Sequence, residues 1–174
     1  MKESAYGKIN LKDIQKLKKK IEENSSQIDS IVSGIIKPYC KDLDKYVKFI
    51  HDCLKDGTNP PTTDELEDFC MNLSTSIYFA GGLCENLGIR DDIGKAVYKE
   101  IYHTTRASQS TGTIDDKNSL AELASQQEYI ISVCYTRAYK TLKAKVDNAQ
   151  ELLSSCKKVL SNRMQERELT RLMS

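Results

Sequence analysis

A single stretch decides the fold: residues 115–160, which read DDKNSLAELASQQEYIISVCYTRAYKTLKAKVDNAQELLSSCKKVL. It contains no proline or glycine, and its apolar and small residues recur at alternating steps of three and four. That spacing places them on one face of an α-helix. A helix of about 45 residues is roughly 65–70 Å long, so it needs other helices beside it to bury this face. The stripe consists of Leu120, Leu123, Gln127, Ile131, Cys134, Ala138, Leu142, Val146, Ala149, Leu153, Cys156 and Leu160.

The rest of the chain also has helical spacing. Apolar residues from Leu11 to Cys53 step by three, four or seven, which predicts one or two long helices over about 11–56. The points at which this region could break are Asn24–Ser26 and Gly34–Pro38. A loop is expected at 57–61, which read GTNPP.

Two further helices are predicted before the final one. Thr62 and Glu65 have the spacing of a capping box, and Gly88 suits the end of a helix over 62–87. A shorter helix, 91–105, leads into the small, polar loop 107–114, after which Asp115 or Asp116 caps a helix over about 115–165. The pair Gly81–Gly82 is interpreted as a site of close helix crossing, with a hinge as the alternative.

These elements predict an all-α protein, an elongated bundle of long antiparallel helices with a long C-terminal helix. We expect residues 1–10 to be flexible and residues 11–174 to form one domain that self-associates. No apolar run approaches the length of about 20 residues that crosses a bilayer, and the N-terminus lacks the apolar segment of a signal peptide. A soluble cytoplasmic protein without a membrane partner is therefore expected.

Six cysteines are spread along the predicted helices: Cys40, Cys53, Cys70, Cys84, Cys134 and Cys156. No two have the short spacing of a structural zinc site, and the chain contains only two histidines. We interpret them as reduced, buried apolar residues and expect no metal site.

Charge is unevenly distributed although the net charge is only +1. Residues 137–174 contain nine basic and four acidic residues, a net charge of +5, whereas residues 51–100 contain ten acidic and four basic residues, a net charge of −6. Opposite fields on one chain can orient a second subunit or a polyanion, and they are also common on solvated helix faces.

Signatures of catalysis are scarce. Neither Gly81–Gly82 nor Gly112 has the spacing of a phosphate-binding loop, and His103 has no nucleophile or orienting carboxylate that the sequence pairs with it. Asp64, Glu65, Glu67 and Asp68 lie where they complement the dipole of a helix N-terminus. We therefore predict a protein that is not an enzyme and has no cofactor.

Two faces combine basic and aromatic residues at helical spacing. The first contains Lys95, Tyr98, Lys99, Tyr102, His103 and Arg106, and the second contains Tyr135, Arg137, Tyr139, Lys140 and Lys143. Tyrosine rings can stack on unpaired bases while lysine and arginine bind phosphates, which favours single-stranded nucleic acid as a partner. The alternative is that the tyrosines pack against neighbouring helices and the lysines are only solvated.

The order of elements over about residues 73–168 resembles the small phage recombination mediator proteins. The resemblance is carried by the Tyr-rich basic segment, the small-residue loop and the final helix, YIISVCYTRAYKTLKAKVDNAQELLSSCKKVLSNRMQE. It implies a protein that binds single-stranded DNA, loads a recombinase and forms helical oligomers. It further implies DNA contacts from Lys95, Lys99, Tyr102, Arg106, Arg137, Lys140 and Lys143 and a subunit interface on Leu142, Val146, Ala149, Leu153 and Leu160.

The sequence therefore predicts a nucleic-acid-binding accessory protein, plausibly a phage-type recombination mediator in the cytoplasm of a bacterial host. The alternative hypothesis is a helical interaction or structural module, such as a virion component or an inhibitor of a host complex, with no role at nucleic acid. Its acidic middle region and apolar stripes would then recognise protein.

Overall fold

A computed structural model describes the backbone of residues 11–55 and 60–173 and the side chains of 15–55 and 60–173. It contains four helices in these ranges and no strand: α1 (Leu11–Lys55), α2 (Thr63–Ser108), α3 (Ile114–Ala124) and α4 (Gln126–Met173). The prediction of an all-α bundle with a long C-terminal helix is confirmed. The predicted flexible segment 1–10 and most of the predicted loop 57–61 lie outside the described residues.

Three long helices surround two clusters of core residues. The first cluster is nearer to the exposed N-terminal part of α1, residues 15–27, and is called the arm-side cluster. In it, Val32, Ile36 and Cys40 of α1 meet Cys84 and Leu87 of α2 and Cys134, Ala138 and Leu142 of α4. The loop-side cluster combines later residues of α1 and α4 with earlier residues of α2, namely Leu43, Ile50, Leu66, Phe69, Cys70, Leu73, Ala80, Val146, Ala149 and Cys156. Helix α2 therefore runs antiparallel to both α1 and α4, which are parallel to each other.

Helix α1 is a single helix, although two points of interruption were considered. Pro38 lies inside it and lacks the amide hydrogen that would bond the carbonyl of Gly34. Ile36, Cys40 and Leu43 on either side are buried against the other helices, so packing holds the helical path across the missing bond. The Lys145 ammonium donates to Asp44 Oδ1 at 2.6 Å and ties α1 to α4 on the outside.

The predicted end of a helix at Gly88 is wrong, because α2 continues without interruption to Ser108. Gly88 serves packing instead: a Cβ added there would lie 3.3 Å from the Tyr139 ring, and one added at Gly94 would lie 3.5 Å from Ser132 Cα. Gly88 therefore leaves room for the Tyr139 ring, whereas a Cβ at Gly94 would make only an ordinary contact with α4. The interpretation of Gly81–Gly82 as a close crossing fails, since an added Cβ at either position meets no atom within 4 Å.

The start of α2 is where the capping box was predicted. The Glu65 amide donates to Thr62 Oγ1 at 3.2 Å, and the Thr62 amide donates to Glu65 Oε2 at 2.7 Å. A second box, which the sequence analysis missed, uses Thr113 as the cap of α3 and Asp116 as its reciprocal partner. These bonds lower the pKa of the Glu65 and Asp116 carboxyls.

The predicted continuous helix over 115–165 is also wrong, because Ser125 separates α3 from α4. Both the amide and the hydroxyl of Ser125 donate to the carbonyl oxygen of Ala121, at 3.0 and 2.8 Å. Ser154 and Ser155 make the same hydroxyl bond inside α4 without a break, so this bond alone does not explain the interruption, at which Ser125 has φ −101° and ψ 8°. Ser125 is fully buried, and α3 packs on the C-terminal part of α2.

All six cysteines are free thiols, and only Cys53 is not fully buried. Burial raises the pKa of the thiols of Cys40, Cys70, Cys84, Cys134 and Cys156. Their interpretation as reduced core residues agrees with the structure.

Leu142 provides a test of the core. Its side chain is 0% exposed, so Leu142→Ala removes buried methyl groups and leaves a cavity, with an expected loss of about 2–5 kcal/mol in the free energy of unfolding. Urea denaturation followed by circular dichroism measures this loss. Leu172→Ala is the matched control, because Leu172 is 84% exposed and its truncation should change stability little. An unchanged stability for Leu142→Ala would contradict the packing described.

Candidate nucleic-acid interface

The contact between α2 and α4 has one buried carboxylate at its centre. Asp91 is 5% exposed, and its Oδ1 accepts a hydrogen bond from the Thr136 hydroxyl at 2.5 Å. Its Oδ2 accepts from the Lys95 ammonium at 2.7 Å. The carboxylate therefore joins a residue of its own helix to a residue of the facing helix.

The surroundings of Asp91 favour its charged form. Burial raises the pKa of this carboxyl, but the hydrogen bonds from Lys95 and Thr136 and the nearby ammonium groups of Lys95 and Lys140 outweigh burial, so the pKa lies below its usual value. The same hydrogen bond raises the pKa of Lys95. Lys95 is thus fully charged at neutral pH, but Asp91 already compensates its charge, which makes it the weakest phosphate contact of the predicted set.

The predicted residues of α2 and α4 extend in opposite directions from Asp91. Arg106 lies fifteen residues beyond Asp91 on α2, and Lys143 lies seven residues beyond Thr136 on the antiparallel α4. At 1.5 Å per residue these ends are about 33 Å apart along the bundle. Such a length matches about ten stacked nucleotides, within the range of sites on single-strand-binding folds. The residues in this line are Arg106, Tyr102, Lys99, Lys95, Lys140 and Lys143.

Arg137 lies on the side of α4 that faces α1. It lines a groove of about 460 Å³ between α1 and α4, together with Asp29, Val32 and Lys140. The Asp29 carboxylate makes this groove less favourable for phosphate. Lys140 takes part in both surroundings, since it also acts on Asp91.

An aromatic cluster lies at the C-terminal end of α2. The ring centroids of Tyr98 and Tyr129 are 5.3 Å apart, those of Tyr98 and Tyr102 are 6.3 Å apart, and Tyr102 meets the exposed His103 edge-on at 5.4 Å. Sequence reasoning missed Tyr129, because it comes from α4 and no spacing along the chain links it to Tyr98. Lys99 and Arg106, both exposed, lie on the same part of α2.

The tyrosines of the second predicted face have a structural role. Tyr135 and Tyr139 are half-buried and pack against the arm-side cluster. The alternative interpretation therefore describes the tyrosines of this part of α4, whereas Lys140 and Lys143 are exposed.

The residues expected at a subunit interface lie inside the chain. Leu142, Val146 and Ala149 are buried in its core, and Leu153 and Leu160 are partly buried against it. An interface built on them would have to replace contacts within one chain. Self-association itself stays a prediction.

A further basic segment lies at the opposite end of the bundle. Arg163 donates a hydrogen bond to the Pro61 carbonyl oxygen, which fixes the start of α2 to α4. With Arg167 and Arg171 it lines an open groove of about 880 Å³, which also contains Glu166 and Glu168. These carboxylates and the distance from Tyr102 separate this groove from the aromatic cluster.

Within residues 11–55 and 60–173, no three histidine, cysteine or acidic residues are grouped so as to hold a metal ion. None of the helices in the same ranges is sufficiently long and apolar to cross a bilayer. In comparisons with known proteins, the chain matches no protein-family model, no curated protein and no solved structure.

Asp91 gives a prediction on stability and pH. Because its pKa is lowered on folding, it stabilises the protein above the unfolded value of about 3.9, and this contribution is lost as the pH falls through the lower folded value. Asp91→Asn should reduce the free energy of unfolding at pH 7 by about 1–3 kcal/mol and flatten its pH dependence between about pH 5 and 2.

The measurement is urea denaturation at a series of pH values. Asp92→Asn is the matched control, because Asp92 is the exposed neighbour of Asp91 and this substitution removes the same charge from the surface. Equal effects of the two substitutions would contradict a central role of Asp91 at the contact of α2 with α4.

Proposed function

We propose that this protein is a non-enzymatic accessory protein that binds single-stranded DNA. The observation that supports this most directly is the grouping of Lys99, Tyr102 and Arg106 around the ring cluster at the end of α2. None of the three belongs to either core cluster, so the fold does not require their chemistry. Aromatic rings beside free cations are the usual means of binding unpaired bases without sequence preference.

The proposed path of the single-stranded DNA runs along the contact of α2 with α4. Arg106 and Lys99 bind phosphates at one end while Tyr102 stacks on a base, and Lys140 and Lys143 bind phosphates at the other end. Lys95 contributes less because of its ion pair with Asp91. Arg137 stands in the neighbouring groove and meets only a strand that bends toward α1.

The proposed biological role is that of a phage-type recombination mediator. The resemblance of residues 73–168 to that family supplies this part, including a recombinase as the protein partner and the bacterial cytoplasm as the location. Loading a recombinase requires that the mediator hold the strand loosely enough to release it. A few solvent-exposed phosphate contacts fit such reversible binding, because counterions compete with them.

Fluorescence anisotropy with a labelled oligonucleotide tests the proposal. Four phosphate contacts, from Lys99, Arg106, Lys140 and Lys143, predict that log K falls with log salt concentration with a slope of about −3 for a single strand. Affinity should therefore fall about fifty-fold between 50 and 200 mM salt. Binding that is absent, insensitive to salt, or stronger for duplex than for single strand would overturn the proposal.

Substitutions of Tyr102 distinguish the contribution of base stacking from that of the phosphate contacts. Tyr102→Ala should weaken single-strand binding by about 1–3 kcal/mol, the usual contribution of one base stacked on an aromatic ring. Tyr102→Phe keeps the ring and should bind as the unmodified protein does. The salt slope should be the same for all three proteins, because no phosphate contact changes.

The charged residues have their own matched pair of variants. Lys99→Ala with Arg106→Ala should reduce the magnitude of the salt slope by about 1.4, since each phosphate contact on a single strand contributes about 0.7. Lys41→Ala with Lys48→Ala removes the same charge from exposed positions on α1, outside the proposed path, and should leave the slope unchanged. Equal effects of the two pairs would point to unspecific attraction by overall charge.

A protein interaction module is the second candidate, and exposed apolar residues favour it. Leu17 and Ile21 of α1 and Leu120 and Leu123 of α3 are exposed at the same end of the bundle. Apolar surface of this kind commonly marks a site for another protein. A defined protein complex together with indifference to oligonucleotides would select this function over DNA binding.

A further inference from the structure

The N-terminal part of α1 has an apolar stripe that stays exposed among the described side chains, those of residues 15–55 and 60–173. Every residue from Gln15 to Gln27, here called the arm, is exposed, whereas α1 enters the core from Ile28 onward. Leu17 is 60% and Ile21 59% exposed, and both continue the stripe that Ile28 and Val32 bury further along the helix. An amphipathic helix whose apolar face meets only water is expected to have a partner.

The charge of the arm is concentrated beside Leu17. Residues 15–20 read QKLKKK, with four lysines and no acidic residue. Lys18 and Lys19 form exposed ion pairs with Glu22 and Glu23 of the same helix, at 3.7 and 3.8 Å. Lys16 and Lys20, one helical turn apart, remain available for a partner with negative charge.

A surface with the complementary properties lies on α3 and its neighbours. Leu123 is 70% exposed and lines a groove of about 570 Å³ with Tyr98, Tyr129 and Glu122. Glu122 is the carboxylate that lines this α3 groove. The segment 114–128 as a whole contains four carboxylates, those of Asp115, Asp116, Glu122 and Glu128, of which Glu128 lines a different groove, and one lysine, Lys117. An apolar groove with acidic residues nearby fits a lysine-rich apolar helix.

The arm and the α3 groove do not meet within one chain. No Cα atom of α1 lies within 8 Å of a Cα atom of α3 in the described residues. The ion pair of Asp44 with Lys145 places each α1 residue beside the α4 residue about one hundred positions later, so the arm projects at the end of the bundle where α3 lies. In the part of the chain that the structure describes, the arm and the groove thus lie at the same end and neither covers the other.

We propose that the arm of one copy of this chain binds in the α3 groove of a second copy. Leu17 and Ile21 then contact Leu123 and the rings of Tyr98 and Tyr129, while Lys16 and Lys20 face Glu122 and Asp115. Two copies can exchange arms reciprocally, which fills both grooves and gives a closed pair. This interface differs from the one expected on Leu142 to Leu160 and does not depend on nucleic-acid binding.

Charge reversal with mixing tests the proposal by sedimentation equilibrium at low salt. The arm variant carries Lys16→Glu and Lys20→Glu, and the groove variant carries Asp115→Lys and Glu122→Lys, with Asp116 kept for its capping role. Each variant alone should raise the Kd for self-association about tenfold or more, because like charges then face each other. An equimolar mixture of the two should regain association, since the reversed arm fits the reversed groove.

Matched controls distinguish a specific contact between arm and groove from general effects of net charge or of exposed apolar surface. Lys41→Glu with Lys48→Glu makes the same change of charge on exposed positions of α1 away from the arm and should leave the mass unchanged. Leu17→Ser with Ile21→Ser should weaken association, whereas Leu169→Ser with Leu172→Ser, at the other end of the bundle, should not. Circular dichroism of each variant verifies that helix content is retained.

Three outcomes would overturn the proposal. The first is an unmodified chain with a mass of 19.7 kDa at all concentrations. An arm that closes on the α3 groove of its own chain would give this result. The second is self-association that neither the arm nor the groove variant changes. The third is an arm variant that keeps its mass but loses oligonucleotide affinity, which would assign the lysines to nucleic acid.

Discussion

The close approach of α4 to α2 is the constraint on which the rest of the structure depends. Gly88 lies against the Tyr139 ring, where an added Cβ would be 3.3 Å away, and Gly94 lies against Ser132. At that distance a buried carboxylate, Asp91, bonds simultaneously to Lys95 and to Thr136 of the other helix. Small residues set the distance and the polar group sets the register, so the two longest helices cannot slide past each other without leaving a buried charge unpaired.

The same constraint arranges the proposed binding surface. Because α2 and α4 are antiparallel and fixed at Asp91, the lysines and arginine of the two helices form a line rather than a cluster. A line of separated cations suits an extended polyanion better than a compact ligand, since each phosphate meets one cation in turn.

Much of the fold could be predicted from the sequence, because apolar residues at steps of three and four indicate a helix whatever that helix packs against. The break at Ser125 could not, since serine within a helical pattern is common, and Ser154 and Ser155 make the same bond to the carbonyl four residues earlier without interrupting α4. Gly88 was misinterpreted for a related reason. A glycine that ends a helix and a glycine that admits a neighbouring ring look the same until the neighbour, Tyr139, is placed.

The candidate site was predictable in its residue types but not in its grouping. Helical spacing placed Lys99, Tyr102 and Arg106 together, whereas Tyr129 and Asp91 act across two helices and left no signal along the chain. Arg137 and Lys140 line the same groove between α1 and α4, but Lys140 also acts on Asp91 at the contact of α2 with α4. The apolar stripe expected at a subunit interface was recognised correctly as a stripe, and the chain uses it for its own core.

The buried thiols divide the bundle into two halves that can be followed separately. Cys84 and Cys134 lie in the arm-side cluster, and Cys70 and Cys156 lie in the loop-side cluster. A buried thiol with a raised pKa is a poor nucleophile, so each reacts with an alkylating reagent only when its own half of the bundle opens. The rates at which these cysteines are alkylated therefore report separately on the local unfolding of each half of the bundle.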